Sequence, residues 1–359
     1  MNKNYYAILM AGGVGSRFWP VSTAGYPKQF QDILGSGSTL LQTTFFRLAK
    51  MIPKENIYIL THKNYTEIVK KQLPKIDEEQ IVAEPAMRNT APSILLGALK
   101  IKEKNKDALM VVAPSDHWIQ EEDKFSENLQ QAFDEVEKED KLLTLGIEPT
   151  FPNTGYGYIK YDKGSEGKVK PVIKFTEKPK FEKAKEFIEE GNYVWNAGIF
   201  VWSARFIIES FDQYLPEMLR LFNKGEDFWN KDGEKEFLEE NYGLADNISI
   251  DYGIMENSDS VYVIPADFNW NDLGTWGSLQ DELPQDEGQN TMINCKLLPI
   301  ESSGNIVRTE GSKIVVLEGL KDYIVVESEK VLLVVPKSKE QDIKKIREKV
   351  MEDFGEYLG

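Results

Sequence analysis

Cysteine is almost missing from this chain. Cys295 is its only thiol, so no internal disulfide can form, and the chain suits a reducing compartment. Histidine is nearly as scarce. With His62 and His117 alone, and no cluster of cysteines, a zinc centre rich in imidazole or thiolate cannot be assembled. Positive charge is also in deficit: 43 Lys and Arg face 59 Asp and Glu, a net charge of −16. Such a chain repels polyanions, which argues against nucleic acid and against an anionic membrane surface as partners. No long apolar run is present either. The opening run, residues 5–10, is too short to span a bilayer or to act as a signal sequence, so a cytoplasmic location is expected. What remains is the composition of an ordinary globular protein, at 359 residues long enough for one large domain and a smaller one.

The stretch around which the chain is organised lies at its start. Tyr5-Tyr6-Ala7-Ile8-Leu9-Met10 reads as a buried strand, and it empties into Gly12, Gly13 and Gly15. Glycine lets the backbone turn sharply and approach a ligand, so successive N–H groups can point at phosphate oxygens. Arg17 and Lys28 follow, with Pro20 and Pro27 stiffening the loop between them. The standard phosphate motifs fit poorly. A P-loop needs a downstream Gly-Lys pair that Gly12 and Gly13 lack, and the dinucleotide fingerprint from Gly13 and Gly15 would put its third glycine on Phe18. On spacing alone, a triphosphate cradle and a glycine turn with incidental charges both remain open.

Beyond that loop, short apolar runs at 57–61, 81–84, 109–113 and 142–147 alternate with segments of helical periodicity at 39–51, 65–73, 91–101 and 125–136. Alternation of this kind predicts a mostly parallel sheet covered on both faces, with ligands collecting beyond the carboxyl ends of the strands. The unusual residues lie in those loops. At the end of the run 81–84 comes Glu84-Pro85-Ala86-Met87-Arg88-Asn89-Thr90-Ala91-Pro92, which could be a polar loop with Asn89 or Thr90 capping a helix. After the run 109–113 comes Pro114-Ser115-Asp116-His117. A carboxylate at the end of a hydrophobic strand is costly unless satisfied, and Mg²⁺ satisfies it well; capping the next turn is the alternative for Asp116.

From about 150 to 285 the pattern becomes irregular and aromatic, as suits a region holding a small polar substrate. Gly155-Tyr156-Gly157-Tyr158 offers close backbone approach. Glu177-Lys178-Pro179 follows a strand, although such adjacent pairs commonly decorate surfaces. Trp195-Asn196-Ala197-Gly198-Ile199-Phe200 is an apolar strand broken by an asparagine that, if buried, must find partners, which sugar hydroxyls could supply. Ser249-Ile250-Asp251-Tyr252 and Trp270-Asn271-Asp272-Leu273-Gly274-Thr275-Trp276 complete the set, with Asp267 a rival to Asp272 only five residues upstream. After a linker-like 284–290, β-type runs at 305–307, 313–317, 323–326 and 331–335 fit either a meander or a β-helical coil. Ser338 is placed to cap a last helix with Ile343, Ile346 and Val350 as its buried stripe.

These motifs together resemble the sugar-1-phosphate nucleotidyltransferases, and among them the mannose-1-phosphate guanylyltransferases, over essentially the whole chain. The family loop A-G-G-x-G-x-R-x-W-P followed by P-K-Q-F appears here as Ala11 to Pro20 and Pro27 to Phe30. The resemblance implies an α/β fold: a Rossmann-like, mostly parallel sheet nucleotidyltransferase domain over residues 1–285. A small β-rich, left-handed β-helix-like domain plus terminal helix over 286–359 would serve association, giving a homodimer. No phosphomannose isomerase domain is expected to follow it. Ala11, Gly12, Gly13, Gly15, Arg17, Glu84, Arg88, Asn89, Thr90 and Ala91 would bind the nucleotide. Guanine shows two adjacent donors that Glu84 or a backbone carbonyl can accept. Gly157, Glu177, Lys178, Asn196 and Gly198 would bind the sugar phosphate, and Asp116 and Asp272 would hold Mg²⁺ or another divalent cation.

The implied reaction is GTP plus mannose 1-phosphate giving GDP-mannose and pyrophosphate, with Arg17, Lys28, Asp116 and Asp272 as the catalytic set. Positioning and charge neutralisation would carry it. The roles of His117 and Asp251 are left open. Two other readings stand beside this one: transfer to glucose or fucose 1-phosphate, and a non-catalytic regulatory subunit that binds nucleotide sugars.

Overall fold

Five of the six residues of β1, Tyr5–Met10, are buried, because the strand is apolar on both faces and both faces are covered. Three further apolar runs become its parallel partners: β2 (Ile57–His62), β3 (Ile81–Glu84) and β4 (Leu109–Pro114). Their register brings the carboxyl ends together, with Met10 opposite Pro114 and His62 opposite Glu84. Helices Thr66–Gln72 and Thr90–Lys104 supply the crossovers between them. The computed structural model describes residues 1–358 and resolves into two units, one of residues 1–12, 45–115 and 119–270, the other of residues 13–44, 116–118 and 271 onward.

The sheet of the first unit has nine strands. With β5 (Leu142–Ile147), β6 (Tyr158–Tyr161), β7 (Lys170–Thr176), β8 (Tyr193–Ser203) and β9 (Val261–Ala266), its order is β3-β2-β1-β4-β8-β5-β9-β7-β6. The parallel expectation holds for β3-β2-β1-β4 and for β5 beside β9. It fails at β8, which runs antiparallel to β4, β5 and β6, and at β7, antiparallel to β6 and β9. The sheet is therefore mixed. Strand β8 is apolar apart from Asn196 and its terminal Ser203, because it lies in the middle of the sheet.

In the second unit, β10 (Thr291–Ile300), β11 (Ile306–Glu318) and β12 (Tyr323–Glu327) pair in parallel, and β13 (Leu332–Pro336) pairs antiparallel to β12. Parallel neighbours joined by only a few residues cannot form a meander; the chain coils instead. Fully buried asparagines stack along the coil. Asn290 Oδ1 accepts from the Asn305 backbone at 3.0 Å, and Asn305 Oδ1 from the Tyr323 backbone at 2.9 Å. The core of this unit joins Phe18, Trp19 and Ile33 to Trp276, Leu279, Ile293, Ile306, Ile324 and Ile343. The last helix, Ile343–Phe354, starts later than Ser338 would place it, because a 3-10 turn, Lys337–Asp342, precedes it; Asp342 sits at its N-cap. Ile343 is buried there, and Ile346 and Val350 pack against the same core.

Candidate active site

Three side-chain groups gather the residues singled out above, one in the second unit and two in the first. In the second unit the glycine loop is held by its own neighbours. Gln29 donates to the Gly13 carbonyl at 2.9 Å and Ser22 to the Val14 carbonyl at 2.5 Å, which fixes the peptide planes of the turn. Gly15 has φ +65°, and a Cβ there would lie 2.5 Å from the Lys28 Cβ, so only glycine lets the loop lie on Lys28. Arg17 is exposed and donates from Nε to Gln341 Oε1 at 3.1 Å.

Lys28 is only 3% exposed, and its ammonium is the centre of the group. It lies 2.9 Å from Asp116 Oδ2 and donates to the carbonyls of Asp272 (2.9 Å) and Leu273 (3.0 Å). The Asp116 carboxylate and the Asp272 backbone carbonyl, far apart in sequence, thus meet at one cation. Burial acts to raise the Asp116 pKa, but the Lys28 ammonium and His117 outweigh it and hold the carboxyl below its usual range. His117 Nε2 stands 3.9 Å from Asp116 Oδ1, beside the site. Asp272 Oδ1 accepts from the Gly274 N–H at 2.9 Å. Asp267 is not part of this group: it is exposed and pairs with Lys124 at 3.4 Å. Leu273 follows Asp272 directly. It is fully buried with φ +46°, a left-handed conformation that a leucine holds only under constraint.

In the first unit, Glu84 closes β3 with a buried carboxylate. Its Oε1 accepts hydrogen bonds from Ser93 Oγ and Tyr242 Oη, and its Oε2 lies on the side of Gly12. Burial raises the Glu84 pKa while the two hydroxyls act against the shift, and burial together with Glu84 pushes Tyr242 well above 10. The segment that follows is tied to 243–250. Arg88 Nη2 donates to the Gly243 carbonyl, Thr90 Oγ1 accepts from the Ile250 N–H at 2.9 Å, and the Ala91 N–H donates to the Ile248 carbonyl at 3.1 Å. Asn89 has φ +66° at the N-cap of helix Thr90–Lys104, and its side chain accepts from the Thr90 N–H. Sequence reading missed Ser93 and Tyr242. Their signal is a buried carboxylate's need for donors, which no spacing rule locates.

The third group surrounds a bulge in β8. The register with β5 shifts between Thr144 and Gly146, and Gly198 takes φ +68°. Bulges re-aim side chains, and here the one concerned is Asn196. Its Oδ1 accepts from the Gly198 N–H at 3.0 Å, and its Nδ2 donates to Asp251 Oδ1 at 2.8 Å. Glu177 is close by, raising the Asp251 pKa through its charge and pairing with Lys178 at 2.5 Å. A Cβ at Gly157 would lie 2.4 Å from Glu177 Oε2, so the glycine makes room for that carboxylate. Tyr156 packs edge-on against Trp195 and Trp270. Asp251, whose role the sequence left open, stands in this group.

A glycine turn laid over a buried lysine is an arrangement suited to phosphate oxygens, as in proteins that handle phosphorylated small molecules. The chain belongs to the nucleotidyl transferase family, whose model matches residues 6–289. A second family model, described as a MannoseP isomerase/GMP-like beta-helix domain, matches 296–350. The chain is 35% identical to a mannose-1-phosphate guanylyltransferase of Escherichia coli K12, the match covering 97% of this chain and 74% of that one. It is 34% identical to mannose-1-phosphate guanylyltransferase ManC of Salmonella typhimurium, over 97% of this chain and 73% of that one. A crystal structure from Thermus thermophilus, described as a mannose-1-phosphate geranyltransferase, superposes with TM-score 0.87 at 30% identity, covering 97% of this chain and 99% of that one.

The donor chemistry of Asp116 and Asp272 suits a hard divalent cation, which takes oxygen ligands and is commonly held by one or two carboxylates plus substrate phosphates. Among the described residues no group of three or more acidic, histidine or cysteine side chains gathers, so protein ligands alone would not complete such a site. No helix among the described residues is long and apolar enough to cross a membrane.

Proposed function

We propose that this protein transfers GMP from GTP to α-D-mannose 1-phosphate, forming GDP-mannose and pyrophosphate. The observation that carries the reading is the meeting of the Asp116 carboxylate and the Asp272 backbone carbonyl at the Lys28 ammonium, in a chain whose relatives bear that activity in their names. One phosphoanhydride is exchanged for another, so the protein's task is to position two anions and offset their charge. The attacking phosphate oxygen is already ionised, and no general base is required.

Lys28 offsets charge growing at the α-phosphorus. The loop amides of Gly12, Gly13 and Gly15, with Ala11 and Arg17, hold the nucleotide phosphates and the departing pyrophosphate. Glu84 Oε2 and nearby carbonyls accept the guanine N1–H and N2 amino group, while Arg88, Asn89, Thr90 and Ala91 hold the ribose side. Gly157, Glu177, Asn196 and Gly198 receive the sugar, and Lys178 steers its phosphate. Asp116 and Asp272 would hold Mg²⁺ or a similar ion, which acts as template and Lewis acid toward the phosphates.

Residues 1–285 form the catalytic part in this reading. Residues 286–359 associate two copies into a cytoplasmic homodimer, for which the exposed Leu298, Ile314, Val316, Leu332 and Val334 give an apolar surface. Light scattering over a dilution series checks the dimer.

The decisive experiment assays pyrophosphate release with GTP or ATP against mannose, glucose and fucose 1-phosphates, with Mg²⁺ and with chelator. Turnover is expected with GTP and mannose 1-phosphate, and its loss in chelator. Preference for another sugar phosphate would shift the substrate assignment. Binding of nucleotide sugar without turnover on any pair would replace the enzyme with a regulatory subunit.

A further inference from the structure

Asp251 begins an isolated π-helical turn, Asp251–Met255. Such turns are rare and gather at functional sites. The turn directs a carboxylate to a place that does not favour it. Asp251 is half-buried, stands within reach of the Glu177 charge, and has its pKa raised to about 6 by burial first and Glu177 second. A group kept where its charge is disfavoured costs stability, and such strain concentrates where a ligand is bound.

The partner that Asp251 does have is informative. Asn196 Oδ1 is claimed by the Gly198 N–H, which fixes the amide so that Nδ2 must point at Asp251 Oδ1. One Asp251 oxygen therefore sets Asn196, and the charge of Glu177 acts on the same carboxylate. The carboxylates of Asp251 and Glu177, the fixed amide of Asn196 and the close backbone approach at Gly157 make a group rich in acceptors. Adjacent sugar hydroxyls, each with one proton to donate, are the groups that satisfy it. The phosphate, largely an acceptor near neutral pH, belongs with the Lys178 ammonium rather than with these carboxylates.

We propose that Asp251 is a specificity-determining residue for the hexose of the sugar 1-phosphate, accepting a ring hydroxyl on Oδ2 while its Oδ1 orients Asn196. The inference rests on the sugar-1-phosphate reading of this group. Glu177 and Lys178 are the charged side chains that act on Asp251. Ligand hydroxyls relieve the crowding of Asp251 and Glu177 by donating to both.

Asp251→Asn keeps an acceptor for Asn196 and replaces the second oxygen by a donor. The expected result, in full-length protein with GTP and Mg²⁺, is a KM for mannose 1-phosphate raised at least about tenfold, as for loss of a hydrogen bond to a charged group. The KM for GTP should stay within about twofold. At pH 8 the variant should melt at the wild-type temperature or about 2 °C or more above it, since a disfavoured charge is gone. A sugar phosphate titrates near pH 6 itself, so the wild-type and variant KM profiles are compared between pH 5 and 8. Their ratio should collapse toward one as Asp251 protonates in the wild type. An unchanged sugar KM, an equal rise in both KM values, a pH-independent ratio, or a variant that is less stable or fails to fold each overturns the assignment, because each marks a purely structural residue. Absence of turnover in the wild type itself would sink the transferase reading instead.

Discussion

At the scale of single residues, the glycine loop separates what sequence shows from what only packing decides. Gly12, Gly13 and Gly15 look alike in the sequence, yet a Cβ on Gly13 meets nothing within 4 Å, while one on Gly15 strikes Lys28 at a positive φ. Gly15→Ala is therefore expected to displace Lys28 and lower kcat by at least about tenfold, whereas Gly13→Ala should stay within a few-fold of wild type. Steady-state pyrophosphate release checks both, and equal losses would remove the special role of Gly15. Lys28 and Asp116 form an ion pair, and the carboxylates of Asp116 and Asp272 are the proposed cation ligands, so alanine at any of the three should lower kcat by about a hundredfold or more. Near-normal turnover in one variant releases that residue from the proposed set. These residues were legible because their types are costly where the pattern placed them. Ser93, Tyr242 and Gln29 were not, since a hydroxyl or amide that serves a buried partner sits in sequence like any other.

At the scale of elements, the strand–helix alternation was legible because a strand buried on both faces is a run of apolar residues. β1 to β5 fall where those runs lie. Direction was not legible: β8 is as apolar as a parallel strand, and pairing with β4 and β5 alone turns it antiparallel. β10 was missed because its exposed half, with Lys296, Leu298 and Ile300 facing out, breaks the period-2 signal. Where elements meet, Tyr242 joins the end of β3 to the segment leading to 250. Tyr242→Phe leaves the buried Glu84 carboxylate with Ser93 as its hydroxyl donor. A loss of about 1–3 kcal/mol in denaturant unfolding is expected, and no loss would show that the hydroxyl is not needed there. The turn at Asp251 gives stability the opposite pH sign from an ordinary ion-paired aspartate. Its folded pKa of about 6 exceeds the ordinary 3.8, so the folded state binds the extra proton. That contribution is complete below about pH 4 and lost as pH rises through 6. It amounts to at most about 3 kcal/mol. Unfolding of wild type against Asp251→Asn across pH 4–8 should show the gap open in favour of the variant as pH rises. A constant gap would rule out this titration.

At the scale of the whole molecule, the division of the chain matters more than its length. A reading by sequence order assigns the glycine–cation loop to the front of the protein and the coil to a separable tail. In the folded second unit the two share one core, with Phe18 and Trp19 packed among Trp276, Ile293, Ile306 and Ile343. The coil also reaches the loop through polar contacts. Gln341 accepts from Arg17, and the Leu358 carbonyl accepts from the Trp19 indole at 2.7 Å. Such long-range contacts leave no trace in local periodicity, which is why the tail reads as an appendage. The consequence is that residues 286–359 should be needed for turnover even though none of the proposed catalytic side chains lies among them. A chain ending at residue 285 exposes Phe18, Trp19 and Ile33 and leaves Lys28 on an unsupported loop; its pyrophosphate release is expected to fall by more than about a hundredfold. Trp276→Ala keeps the full chain but removes a fully buried indole packed at a tilt against Phe18, ring centroids 4.9 Å apart, and should cost about 3–5 kcal/mol of stability along with most of the turnover. A truncated chain that turns over at the wild-type rate would show that the loop holds its shape alone and that the coil serves association only.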